Sequence, residues 1–185
     1  MIDNRHPHPA HVRDLLLFAA VNAADELHAD PEVLSDLDVV DVVAVAASLV
    51  HGQLQALTAG VRSAESRLMT ATEVFSLAQS MVADPCAVGA IGTVVGVVAQ
   101  GDLATAAAIA RCLGAFSADE LAAAAVALCA ANLCLLGRLA GTSITEIVRW
   151  STGDGDRPVT REARPMFCTR EGLDTQPRRS VAGAA

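Results

Sequence analysis

The run LAAAAVALCAANLCLLG at residues 121–137 contains no charged side chain. Two further uncharged runs occupy residues 42–61 and 85–101, and each of the three directly follows an acidic residue. A helix that is apolar on every face is buried inside a protein or crosses a membrane. The three runs predict an all-α fold, a compact helical bundle of about six to eight helices.

A membrane location has to be weighed, because the runs are 20, 17 and 17 residues long and a bilayer span needs roughly 20. Polar residues interrupt them: His51, Gln53 and Gln55 in the first, Gln100 in the second and Asn132 in the third. Only 3% of the residues are aromatic, so no aromatic belt marks a membrane interface. We expect no membrane insertion, and a core filled by alanine, valine and leucine.

Helix-start signals divide the chain. A proline in the first turn, or a hydroxyl residue followed by Glu three positions later, is typical of a helix start. Such signals occur at Pro9, Asp30-Pro31, Thr70-x-x-Glu73, Asp84-Pro85, Ser117-x-x-Glu120 and Ser143-x-x-Glu146, and Asp38 and Asp102 are single caps. We predict a flexible lead over residues 1–8, a helical domain over 9–150 and an extended or disordered tail over 151–185.

Two related helical hairpins are one interpretation of the helical domain. Arg13-Asp14-Leu15 and Gly101-Asp102-Leu103 each begin a hairpin, and each hairpin continues into a long apolar helix that ends at a glycine. Alanine-rich helices also resemble one another without any common origin. Duplication and chance similarity both stay open at this point.

Charge disfavours binding to nucleic acid. Residues 1–150 hold seven arginines against 16 acidic residues, and affinity for a phosphate backbone depends on cationic contacts. One opposing pattern is a helix, a glycine turn and a short helix at residues 135–150, which would suit a helix-turn-helix with Ile147 and Trp150 facing inward. Its second helix carries only Arg149 as a cation, so DNA binding is the second alternative function.

Histidine and cysteine residues offer few candidates for a site. His6, His8 and His11 are the only cluster of potential metal ligands, and the proline-rich chain around them gives no fixed geometry. We therefore predict no metal site. Five cysteines without a C-x-x-C pair favour a reducing, cytoplasmic location.

A pocket for an apolar ligand or haem is the first alternative function. His51 lies in the middle of an apolar helix, Asn132 lies at a comparable place in the second long helix, and Cys129 is one turn away from Asn132. These are the candidate ligand-binding residues, and we predict a contact between His51 and Asn132. A buried histidine that bonds to a carbonyl or a glutamine is the other interpretation.

Catalysis is not expected. The chain has no lysine, which excludes a P-loop lysine and a Schiff base. No nucleophile is paired with a base, and no cofactor is predicted.

The chain contains more uncharged helix than one small core requires, and surplus apolar surface often forms an interface. We expect a non-enzymatic protein that acts by protein–protein interaction or self-assembly, either with itself as a homodimer or larger assembly or with another protein.

Overall fold

A computed structural model describes residues 8–59, 64–100 and 113–153 of the chain. Within these ranges six α-helices and one 3-10 turn are present, and no strand. The helices are α1 (Pro9–Glu26), α2 (Val39–Thr58), α3 (Ala64–Gln79), α4 (Pro85–Gln100), α5 (Ala118–Ala140) and α6 (Ile144–Thr152), and the 3-10 turn is Glu32–Leu34. The predicted all-α fold is confirmed.

Helix α5 is the centre of the bundle. It packs against α1, α2, α3, α4 and α6, and every residue from 124 to 133 is buried. Because 3.6 residues complete one helical turn, such a stretch has no face toward solvent. Five of its residues are fully buried alanines, which let neighbouring helices approach closely: Ala124, Ala125, Ala127, Ala130 and Ala131.

Two helices, α2 and α5, are long and apolar enough to cross a membrane by length and composition alone. The most apolar window of α5 is 83% buried inside the described fold, which accounts for its lack of charge. The corresponding window of α2 is only 39% buried. The apolar character of α2 therefore exceeds what the core requires.

Local capping fixes most of the helix starts. The Asp38 carboxylate accepts a hydrogen bond from the Val40 amide at 2.8 Å and begins α2. The predicted capping boxes at Ser117 and Ser143 both form, with Glu120 and Glu146 bonding back to the cap. In a capping box each side chain satisfies a helix-start amide that has no partner inside the helix.

Thr70 does not begin a helix, and that prediction is wrong. Helix α3 starts at Ala64, so Thr70 lies inside it and is buried. The Glu73 carboxylate forms an ion pair with Arg138 of α5 instead of capping. Because the chain before Thr70 is already helical, the Glu73 amide is not one of the unpaired amides of a helix start.

Other boundaries differ slightly from the predictions. Asp30-Pro31 begins only a single 3-10 turn, in which the Asp30 carboxylate accepts from the Glu32 amide at 2.9 Å. Helix α6 continues two residues beyond Trp150, to Thr152. The predicted helix at 102–113 lies outside the described residues except for its end, so the hairpin duplication stays a prediction, and most of the proposed tail also lies outside them.

Candidate functional site

An open groove of about 590 Å³ lies between the start of α1, the middle of α2 and the end of α6. Its volume is within the range of small-molecule sites, roughly 300–1,000 Å³. Eleven residues line it: Pro9, Ala10 and Arg13 from α1; Ala44, Val45, Ser48, Leu49, Gly52 and Gln53 from α2; and Trp150 and Ser151 from α6.

The floor of the groove is a row of small side chains on α2. Ala44, Ser48 and Gly52 are spaced four residues apart, so they lie on one face of the helix in successive turns. A Cβ atom added at Gly52 would meet nothing within 4 Å. The row leaves a depression along α2, on the part of this apolar helix that the core does not cover.

Gln53 is the polar residue at the base of this groove. Its side chain is 1% exposed, and within the described residues neither Oε1 nor Nε2 has a hydrogen-bond partner. The buried Ser151 hydroxyl, on the facing helix, also has none. Leaving a buried polar group unpaired costs about 1–3 kcal/mol, and most buried polar atoms in folded proteins are paired. Three buried hydrogen-bonding atoms beside the groove are therefore unsatisfied among the described residues, and none of the three is exposed to the groove as the side chains stand.

Trp150 and Arg13 complete the walls. Trp150 is half-buried and is the aromatic residue among the eleven. Helix α6 holds it in place, since Ile147 one turn earlier is fully buried and Gly153 ends the helix at φ 89°. The Arg13 guanidinium is partly exposed, and its Nη2 lies 3.1 Å from Oδ1 of Asp14.

No family model matches this chain, and neither a curated protein nor a solved structure matches it. The chemistry of the groove follows from its own side chains. A neutral amide and a hydroxyl can donate and accept hydrogen bonds, an indole offers a flat apolar surface, and the one cation is already paired with a carboxylate. This set suits binding and orientation of a neutral or weakly charged ligand.

The predicted candidate ligand-binding residues do not line the groove. His51 is half-buried, and its Nε2 accepts a hydrogen bond from the Gln55 amide at 2.9 Å. Asn132 donates through Nδ2 to the Leu128 carbonyl at 2.9 Å, and its buried Oδ1 has no partner in the described part of the chain. His51 and Asn132 thus each bond within their own helix rather than to each other.

Cys129 lies inside α5 and is fully buried. Burial raises the pKa of its thiol from 9.0 to about 12, because the thiolate would lose its hydration. The thiol is therefore neutral at physiological pH, and a neutral thiol is a poor nucleophile and a poor metal ligand.

The histidine cluster is only partly described. His8 caps α1, with its Nδ1 accepting from the Ala10 amide at 3.3 Å, and His11 is exposed. His6 lies outside the described residues. Among those that are described, no group of three or more histidine, cysteine or acidic side chains could hold a metal ion.

The helix, turn and helix predicted at residues 135–150 are present, with Gly141 at φ 65° ending α5 and Ser143 capping α6. Ile147 faces inward as predicted, and Trp150 lines the groove. Hydrogen bonds from the Thr142 hydroxyl and the Ser143 amide lower the pKa of Glu146. Because this carboxylate stays ionised beside Arg149, the short helix is a poor surface for phosphate, and DNA binding stays a prediction.

Sequence reasoning missed the groove. Gln53 was interpreted only as a polar residue that argues against a membrane span, and Trp150 only as an inward-facing residue of a short helix. The spacing of Ala44, Ser48 and Gly52 was the available signal, since small residues four apart mark a shallow helix face. Nothing in the sequence indicates that the ends of α1 and α6 border that face.

Proposed function

We propose that this protein is a non-catalytic binding protein that holds a small ligand in the groove between α1, α2 and α6. The observation that carries the proposal is the buried amide of Gln53, with neither polar atom paired. An apolar residue of the same size would stabilise the fold at this position. A ligand toward which the Gln53 side chain turns would complete its hydrogen bonds and offset the cost of burying it.

The groove also explains the composition of α2. The core covers only part of this apolar helix. The remainder lines the groove, whose walls are mostly apolar. Ligand sites commonly combine such walls with a few polar groups that fix orientation. The proposal keeps the predicted class of helical pocket and places it away from His51, Asn132 and Cys129.

Two variants, Gln53→Met and Gln55→Met, test the role of Gln53. Methionine is similar in length to glutamine and lacks its hydrogen-bonding groups, so Gln53→Met should raise the free energy of unfolding by about 1–3 kcal/mol. The matched control is Gln55→Met on the same helix, where the side chain is exposed and already bonded to His51, and stability should change by less than about 0.5 kcal/mol. Urea denaturation measures both, and a less stable Gln53→Met protein would show that Gln53 has a structural partner.

A variant that fills the groove tests binding itself. Gly52→Leu places a side chain into open space and removes a helical glycine, so the protein should stay folded. Ligands found by screening a small-molecule library by ligand-observed NMR should lose binding to Gly52→Leu. If every ligand of the wild type binds Gly52→Leu equally well, the groove is not the binding site.

Self-association, as a homodimer or larger assembly, is a second candidate function. Six large apolar side chains are between 41% and 69% exposed, which favours contact with another protein: Phe18, Leu27, Val33, Val40, Leu68 and Met69. Helix α5 is mostly buried within one chain. Its uncharged run is therefore not part of the surplus apolar surface that could form an interface. Light scattering over a wide concentration range tests this candidate, and a strictly monomeric particle would contradict it.

A further inference from the structure

We infer that residues 157–170 of this chain pack against an exposed, acidic surface formed by α1 and the 3-10 turn. Three observations carry the inference: the apolar side chains that this surface exposes, its negative charge and the place where the described chain ends. The inference does not depend on a ligand in the groove between α1, α2 and α6.

The surface exposes large apolar side chains. Phe18 is 57% exposed, Leu27 59% and Val33 41%, and the 3-10 turn that carries Val33 packs against α1. Val33 lines a hollow of about 120 Å³ together with Asn22, which is one helical turn from Phe18. Leu27 ends α1 in the left-handed region, at φ 54°, which a leucine rarely adopts. We call Phe18, Asn22, Leu27 and Val33 the α1 surface; such exposed apolar groups favour contact with a further segment.

The α1 surface lies in an acidic part of the chain. Residues 14–61 contain eight acidic side chains and neither arginine nor lysine. Glu26 and Asp30 line the same hollow as Val33. A segment that combines apolar side chains with arginines fits this surface, because a guanidinium group bonds to carboxylates and also stacks on an aromatic ring such as that of Phe18.

Residues 157–170, with the sequence RPVTREARPMFCTR, have this composition. They contain four arginines against one glutamate, and the apolar residues among them are led by Val159, Met166 and Phe167. No other stretch of 14 residues in the chain carries so large a positive charge. Charge complementarity therefore selects this segment as the occupant of the α1 surface.

The described chain ends within reach of the α1 surface. The end of α6 lines the groove together with Arg13, near the start of α1. From Arg13 to Leu27 the helix rises about 20 Å, whereas the chain from Gly153 to Met166 can span up to about 45 Å when extended. A tethered segment has an effective concentration of about a millimolar, so the segment of the same molecule is favoured over that of a second copy.

Disulfide trapping in the full chain tests the inference. Cys168 follows Phe167 in the segment, and Asn22→Cys places a second thiol at an exposed position of the α1 surface. Thr93→Cys, at an exposed position on α4, is the matched control. Three other cysteines are replaced by serine so that they do not compete for Cys168: Cys86, Cys112 and Cys134. Under oxidation by diamide, Asn22→Cys should form an intramolecular disulfide about 10-fold faster than Thr93→Cys, measured from the migration of the monomer on non-reducing gels.

Charge reversal separates specific packing from chance encounter. Arg161→Glu combined with Arg164→Glu should slow trapping at Asn22→Cys by about 5–10-fold, because repulsion replaces the ion pairs, and should leave trapping at Thr93→Cys unchanged. No trapping at Asn22→Cys, equal trapping at the two positions or no effect of charge reversal would overturn the inference. Disulfide-linked dimers in place of the monomeric disulfide would overturn it in favour of self-association. The screen with Gly52→Leu decides ligand binding in the groove separately.

Discussion

Two buried amides show how a single residue is used in this protein. Asn132 lies in the enclosed helix α5 and keeps one hydrogen bond, to the Leu128 carbonyl of its own helix. Gln53 lies beside a groove, and its side chain has no hydrogen bond to any residue within 8–59, 64–100 and 113–153. The unpaired atoms of both side chains are closed off from solvent, and of the two residues Gln53 is the one that borders a groove. Position therefore separates a structural amide from a candidate binding group.

At the scale of the residue, the buried thiol of Cys129 leads us to predict that the protein loses stability as the pH becomes alkaline. The native state holds the thiol proton up to a pKa of about 12, and the unfolded chain releases it from 9.0 upward. A pKa raised in the folded state stabilises the protein below the unfolded pKa, and that contribution is lost as pH rises between the two values. The loss amounts to at most about 4 kcal/mol.

Because the chain has no lysine and no tyrosine, cysteines dominate titration in this range. Urea denaturation at a series of pH values measures the effect, and Cys129→Ala should flatten the profile. A smaller slope remains from Cys134, whose pKa burial also raises. An unaltered slope in Cys129→Ala would contradict the assignment.

At the scale of the helix, α4 offers a matched set of glycines. A Cβ atom at Gly89 or Gly96 would meet nothing within 4 Å, whereas one at Gly92 would overlap Cε1 of the Phe75 ring. Alanine at Gly89 or Gly96 should therefore stabilise the protein by about 0.5–1 kcal/mol. Gly92→Ala should destabilise it by about 1–3 kcal/mol through overpacking.

Thermal unfolding of the three variants measures this prediction. Equal effects at all three glycines would contradict the close packing of Gly92 on Phe75. A loss of stability at Gly89 or Gly96 would show that another surface covers that face of α4.

Helix starts were predictable wherever their cause is local. Ser117 and Ser143 cap helices because each bonds to a residue three positions away, which sequence spacing displays directly. Thr70 failed because the helix already begins at Ala64, and the Glu73 carboxylate pairs with Arg138, 65 positions along the chain, a partner that no local pattern contains. The groove was unpredictable for the same reason, since its lining comes from the two ends of the helical domain and the middle of α2.

At the scale of the whole molecule, the enclosure of α5 predicts which substitutions are costly. Leu128 is fully buried, and Leu128→Ala should reduce the free energy of unfolding by about 2–5 kcal/mol. Ala127→Leu, at a position with no exposed face, should cost about 1–3 kcal/mol. Val40 is 69% exposed, and Val40→Ala should change stability by less than about 0.5 kcal/mol. Urea denaturation measures all three, and a neutral Ala127→Leu would show that α5 is less tightly enclosed.

Which of the three uncharged runs becomes the central helix is also a property of the whole molecule. The runs at 42–61 and 121–137 are both uncharged, and helix α2 is partly exposed while helix α5 is enclosed. The number of neighbouring helices decides between them, and that number is set by tertiary packing. The all-α class could be predicted from the sequence, but the way in which the helices pack around one another could not.

The central position of α5 bears on the order in which the protein is made. Synthesis proceeds from the amino terminus, so α1 to α4 leave the ribosome before the helix against which they pack. Their inward faces lack that partner until residue 140 has emerged, and exposed apolar surface on a nascent chain attracts chaperones. Ribosome-bound chains arrested before residue 118 should be sensitive to protease, and resistance should appear only once α5 is clear of the exit tunnel.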